Sequence, residues 1–114
     1  MTDDRLTDEL VSQVLGWRLA PGRFIKARRS WIARWRFAPL ERLDDAFELL
    51  DRASRDYTLT SIEGAFTAEV RVGDRIGSAS GGPKARTITL AVARALGIEL
   101  SLMGKVTNGE PELR

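Results

Sequence analysis

The chain has 114 residues, with 18 Lys and Arg against 16 Asp and Glu for a net charge of +2. That length predicts a single domain, and 43% hydrophobic with 30% charged residues is a globular composition, not a disordered one. With neither cysteine nor histidine in the chain, disulfides, thiolate or imidazole zinc sites, cysteine nucleophiles and every nucleophile–histidine pairing are excluded.

No uncharged run approaches the ~18 residues that a membrane span needs. The N-terminus, Met-Thr-Asp-Asp-Arg, is acidic and has no apolar segment of signal type behind it. A cytoplasmic protein without a membrane partner is expected.

Two cap signals open the first helix, Thr2 before Asp3-Asp4 and Thr7 before Asp8-Glu9. Carboxylates in a first turn suit the positive end of a helix dipole, so these acids read as caps rather than metal ligands. Leu6, Leu10, Val14 and Val11 make the apolar stripe, and Gly16 is the stop.

From Leu10 to Leu40 the chain holds no Asp or Glu. It carries Arg18, Arg23, Lys26, Arg28, Arg29, Arg34 and Arg36, interleaved with Trp17, Phe24, Trp31, Trp35 and Phe37. Ala20-Pro21-Gly22 is a turn. Residues 30 to 37 alternate, with Trp31, Ala33, Trp35 and Phe37 on one side and Ser30, Ile32, Arg34 and Arg36 on the other. The expectation is a strand whose aromatic face enters the core, with Phe24 to Lys26 as a short partner. Its arginines would then face water or an acidic helix.

Pro39 ends that strand. Leu40, Leu43, Phe47 and Leu50 recur at helical spacing, widened by Ala46 and Ala53, with Asp44, Asp45, Glu48 and Asp51 mostly on the outer face. Neighbours such as Asp44 and Asp45 stand about 100° apart on a helix and do not converge on one metal.

Residues 56 to 80 read as a three-stranded antiparallel meander, the stretch around which the chain is organised. In its middle strand Phe66, Ala68, Val70 and Val72 share one face, and Thr67, Glu69 and Arg71 the other. Turns fall at Ile62-Glu63-Gly64-Ala65 and Val72-Gly73-Asp74-Arg75. The strand of residues 30–37 is expected to join this sheet as a fourth member.

Gly77 to Arg86 then reads as a glycine-rich connector. It is not a phosphate-binding loop of P-loop type, because Gly82 is followed by Pro83. A modest anion site at Lys84 and Arg86 is the alternative. Thr87 caps the last helix, whose inner residues are Ile88, Val92, Ala95 and Leu96. Leu90, Ala91 and Ala93 make that helix apolar nearly all round, so it requires burial on more than one side. Gly97 stops it, residues 98–103 suit a short extra strand, and 104–114 read as a tail, leaving a domain of residues 1–103.

Three segments carry a likeness. Thr87 to Leu96 resembles the threonine, leucine-alanine, arginine-alanine-leucine helix that closes the phage ABA sandwich domain. Pro39 to Ala53 resembles that family's proline, cap and helix segment, with Phe47 where tryptophan is usual and Leu40-Glu41 in place of a serine-threonine cap. Leu15-Gly16-Trp17 is similar to its methionine-glycine-tryptophan element. The resemblance implies an α/β sandwich of phage or prophage origin, without an established activity and without a catalytic residue to carry over. Its name implies helices on both sheet faces. The polar row Thr67, Glu69, Arg71 argues for two helices on the apolar face and partial cover of the other.

Together these readings predict an α+β domain, a mainly antiparallel sheet of three to five strands packed with three helices. The core is expected to unite Phe47, Leu50, Phe66, Val70, Ile88 and Val92. The functional expectation is a phage or prophage-derived accessory protein, non-enzymatic and without cofactor or metal, acting on a protein partner or by self-association. The alternative is a nucleic-acid-binding module using Arg23, Lys26, Arg28, Arg29, Arg34 and Arg36. An enzyme working from Ser, Asp or Lys side chains comes last, since no nucleophile–base pairing is visible.

Overall fold

A computed structural model describes residues 2–98. Helix α1 (Asp3–Leu10) runs into a π-helical turn (Val11–Leu15). Strands β1 (Arg18–Ala20), β2 (Arg23–Ala27) and β3 (Ser30–Ala33) form one antiparallel sheet in that order. A 3₁₀ turn (Arg34–Arg36) leads to helix α2 (Leu43–Ala53). Strands β4 (Asp56–Ile62), β5 (Ala65–Val72) and β6 (Arg75–Ser80) form a second antiparallel sheet, and helix α3 (Lys84–Ala95) follows. The class is α+β with three helices, as the periodicities require. The expected strand at 99–103 and the tail at 104–114 lie outside the described residues.

Thr2 caps α1 by accepting the Arg5 N–H at 3.1 Å, and Gly16 closes the π turn at φ 70°. Thr7 is not a cap; it sits inside the helix and donates its hydroxyl to the Asp3 carbonyl. Leu6, Leu10 and Val11 are fully buried. The meander follows its sequence pattern closely. Ala68 and Val70 are buried, Phe66 and Val72 half-buried, and Thr67, Glu69 and Arg71 exposed. The β4–β5 turn places both Glu63 (φ 51°) and Gly64 (φ 82°) in the left-handed region, as a two-residue hairpin of type I′ requires.

Helix α3 is the helix laid along the apolar face of this sheet, against β5 and β6, and α2 packs on α3 rather than on the strands. The expected pair of helices on that face is therefore stacked in depth. Burial on two sides is what an all-round apolar helix needs, and Ile88, Ala91, Val92, Ala93 and Ala95 are inaccessible. The helix starts before the expected Thr87 cap. Pro83 is its N-cap, and Thr87 is a buried interior residue. Thr89, also buried, donates its hydroxyl to the Pro39 carbonyl at 2.7 Å, so the polar atom is satisfied.

The stretch read as a glycine-rich connector is mostly strand. β6 pairs through Ser80, with Gly77 opposite Val70 and Ala79 opposite Ala68, leaving Gly81-Gly82-Pro83 as the link. Gly77 is the point of closest approach. A Cβ there would land on the α3 backbone at Ala91, Arg94 and Ala95. Arg94 reinforces the contact by donating to the Ser78 carbonyl at 2.6 Å.

Helix α2 is rotated and starts later than expected. It begins at Leu43, which is 42% exposed, and buries Ala46, Leu49 and Leu50, while Leu40 is buried in the turn before it. Phe47 and Phe66 are half-buried against the core formed by Leu50, Val70, Ile88 and Val92. Asp45 explains part of the rotation, because its carboxylate turns back to accept the Ala38 N–H at 2.9 Å. At the far end the Ser54 hydroxyl accepts the Asp56 N–H and donates to the Arg71 carbonyl, tying α2 to β4 and β5.

The larger difference concerns residues 30–37. β3 pairs with β2, not with the meander, and ends at Ala33 because the chain coils into the 3₁₀ turn. Phe37 is buried as expected, but Trp31 and Trp35 are 57% and 70% exposed.

Gly77→Ala should lower stability by about 3 kcal/mol or more, because backbone atoms cannot yield as a side chain does. Thermal unfolding should show this as a drop of roughly 10–20 °C; an unchanged midpoint would mean that α3 does not lie against β6. A second test reads the α2–β4 contact. Tyr57 donates its hydroxyl to Asp51 at 2.9 Å, and this bond, with smaller contributions from desolvation and from the carboxylate charge, raises the phenol's pKa above its ordinary value. A raised phenol pKa means the contact stabilises fully below about pH 10 and is lost as pH climbs through the raised value. Tyr57 is the sole tyrosine, so its ultraviolet titration is unambiguous, and Asp51→Ala should move the midpoint down.

Candidate nucleic-acid interface

The register of the first sheet decides what its two faces carry. Arg18 stands opposite Ile25, which stands opposite Trp31; Leu19, Phe24 and Ile32 form the next row; Ala20, Arg23 and Ala33 the one after. Directly paired residues share a face and successive rows alternate. Phe24 is fully buried and its ring lies 6.3 Å from that of Trp17, which meets Phe37 edge-on at 5.2 Å. Phe24 therefore points inward with Ile32 half-buried beside it, while Leu19 on the edge strand is 48% exposed, and the flanking rows, with Arg18, Ile25, Trp31 and Arg23, lie on the opposite face.

The outward aim of Trp31 follows from one extra residue. Ala27 pairs with Ser30 across the Arg28-Arg29 turn, yet Ile25 pairs with Trp31, so the ladder shifts at Lys26. Without that bulge Lys26 would oppose Trp31, and both would share the Phe24 face. A one-residue slip moves a whole strand's side chains to the other face. The simple alternation that expects Trp31 in the core has no signal for the slip.

The outer face is basic throughout. Arg18, Arg23, Arg28 and Arg29 are exposed, and they line a shallow groove of about 260 Å³ with Ile25 and Trp31. The Arg23 guanidinium stands 5.2 Å from the Trp31 ring centre, within cation–π range. Among the described residues, no carboxylate lines the groove.

The other predicted cations go elsewhere. Lys26, at the bulge, lies over the Trp17 ring at 5.2 Å, and Arg36 over Trp35 at 5.7 Å. Arg34 is structural. It forms an ion pair with Asp8 of α1 at 2.5 Å, covers the Phe24 ring at 4.8 Å, and its N–H donates to the Gly22 carbonyl. It thus ties the small sheet to α1; of the two arginines expected to face water or the acids of α2, Arg36 is exposed to water and Arg34 pairs instead with the α1 acid Asp8. Trp35 lines a separate cavity of about 480 Å³ with Asp3, Asp4 and Glu41. At the suggested anion site, Arg86 holds the Asp3 carboxylate through both terminal nitrogens, at 2.9 and 3.2 Å. Lys84 stands over the Phe66 ring at 5.7 Å. Among the described residues no group of three acids is placed to hold a metal ion.

The expected set of Arg23, Lys26, Arg28, Arg29, Arg34 and Arg36 is therefore divided. Three of the six share the open face, and Arg18, Ile25 and Trp31 join them. The sequence suggests the pairing of Phe24–Lys26 with the strand after residue 30, but carries no signal for the two-residue turn at Arg28-Arg29 or for the bulge that sets the faces.

The chain is similar in fold to a phage protein from Bacillus cereus ATCC 14579 known from a 2.0 Å crystal structure. The TM-score is 0.70 at 15% identity, over 88% of this chain and 92% of that one. No family model matches the chain, and no curated protein matches it. Among the described residues no helix is long and apolar enough to cross a membrane.

Asp8→Ala removes the counter-charge from a guanidinium whose side chain is only 31% exposed. The cost should be about 1 kcal/mol, since the remaining exposure lets water replace part of the lost pairing. A urea midpoint lowered without a change in slope is the expected reading, and no change in midpoint would mean that the pair contributes nothing.

Proposed function

We propose that this protein is a phage- or prophage-derived accessory protein, cytoplasmic and non-enzymatic, whose β1–β2–β3 face binds the phosphate backbone of nucleic acid. The observation that carries the reading is the outer face itself: Arg18, Arg23, Arg28 and Arg29 around an exposed Trp31, with no carboxylate in the groove. A solvated basic surface and a binding surface share the arginines, but differ in the aromatic. Stacking requires the ring on the same face as the cations, and that condition is met here.

The phage origin is supported by the likeness in fold to the Bacillus cereus phage protein and by the resemblance of Leu15-Gly16-Trp17, Pro39–Ala53 and Thr87–Leu96 to the phage ABA sandwich family. The non-enzymatic part rests on a chain without cysteine or histidine. Arg34 and Arg86 are assigned to internal ion pairs and left out of the interface.

The test is a titration of labelled DNA of about 15 nucleotides across about 50–200 mM salt. Four guanidinium–phosphate contacts give a log–log slope of about −3 on a single strand, and closer to −4 on a duplex. Arg28→Ala with Arg29→Ala should halve that slope while leaving thermal stability intact, since both residues are exposed turn positions. Absence of binding at the lowest salt would reject the reading.

A further inference from the structure

The geometry points to single-stranded nucleic acid as the ligand class of this face, with one unpaired base stacked on Trp31. The inference rests on the reading of the β1–β2–β3 face as a phosphate-binding surface. An exposed indole contributes little to a duplex, whose bases are already stacked on one another inside the helix. It contributes to a single strand, whose unstacked bases lack that partner.

Three observations lead to the indole as the base platform. Trp31 is 57% exposed although it is the largest apolar side chain on the sheet. The Arg23 guanidinium lies over the ring, 5.2 Å from its centre, from two rows along on the same face, so a base stacks on the other side of the indole with a cation close by for its phosphate. The groove of about 260 Å³, walled by the indole and by Arg18, Arg23, Arg28 and Arg29, is below the size of a drug-sized pocket and suits a single planar group laid against the ring. The register shift at Lys26 is the device that aims Trp31 outward, and bulges are commonly used to re-aim a side chain. Trp35 is not part of this platform, since it belongs to the acid-lined cavity with Asp3, Asp4 and Glu41.

The experiment measures binding of an oligodeoxyuridylate, an oligouridylate and a DNA duplex of equal length, at one low salt concentration. It uses the full chain and the variants Trp31→Ala, Trp31→Phe and Trp35→Ala. Trp31→Ala should weaken both single strands about tenfold and leave the duplex unchanged. Trp31→Phe should recover most of the loss, and Trp35→Ala should change nothing. In a Trp35→Phe background, where Trp17 is buried, single strands should quench the Trp31 fluorescence and the duplex should not. The tighter of the two single strands names the sugar.

Single strands and duplex binding equally, with Trp31→Ala weakening neither, would overturn the stacking inference and leave the phosphate-binding reading standing. Loss of binding to all three polymers in the unmodified chain would remove both. Because Trp31 is exposed, its variants should unfold at the parent temperature. A fall in that temperature matched by equal losses on single strand and duplex would assign Trp31 to the fold instead.

Discussion

Helix α3 lies with its backbone against β6, and the contact exists because residue 77 has no side chain. Most of the structure depends on that close approach. A helix held at the usual distance by side chains would bury one stripe, but α3 is apolar nearly all round and must be enclosed. Pressed onto the strands at Gly77, it covers Val70, Ala68 and Ala79 with one side and offers the other to α2. The α2 helix in turn packs on the π turn after α1, so the first and second halves of the chain are joined through α3. The small residues of α3 that face Gly77, Ala91 and Ala95, are as necessary as the glycine, since bulk there would lift the helix off.

The two sheets solve the problem of an exposed face differently. The outer face of β4–β5–β6 carries Thr58, Thr60, Thr67, Ser78 and Ser80, and its Arg71 is neutralised by Asp56 at 3.2 Å. With Glu69 in the same field, that surface has no excess of positive charge. Hydroxyls and paired charges keep most of it wet at small cost, with Ile62 and Ile76 exposed at its two ends. The outer face of β1–β2–β3 has cations without acids and a tryptophan in their midst. The indole of Trp31 keeps a large apolar area in water there, 57% of the residue being exposed.

Where local pattern and burial agree, the sequence is readable. The middle strand of the meander, its two turns, the Thr2 cap and the Gly16 and Gly97 stops all stand where their residue types require. The pattern fails where a single residue changes the phase. Residues 30–37 alternate as a strand for their full length, yet the bulge at Lys26 inverts the faces and the 3₁₀ turn at Arg34–Arg36 ends the alternation. In α2, Asp45 bonds back to Ala38, and the inward stripe keeps Ala46 and Leu50, gains Leu49 and leaves Leu43 exposed and Phe47 half-buried. At Gly77 the cause is opposite. The glycine signals a close backbone approach, but the same residue type also marks loops, and Gly81-Gly82-Pro83 just downstream favours the loop reading. The candidate site was legible as a basic, acid-free stretch. Its members were not, because membership depends on which face each arginine takes.

Arg34 shows how the fold and the interface are linked. Among the described residues, it is the one of the seven cations between Leu10 and Leu40 that pairs with a carboxylate. That pairing holds the end of β3 to α1, while the same guanidinium covers Phe24 from the side. Phe24 is the inward anchor of the small sheet, so fixing it fixes which rows point outward. The bulge at Lys26 then has a definite effect, since a slip matters only when one face is pinned. With Phe24 held between Trp17 and Arg34, the row bearing Arg18, Ile25 and Trp31 has no inward place to go. One internal ion pair thus turns a sequence with evenly scattered arginines into a sheet with a single basic, aromatic face.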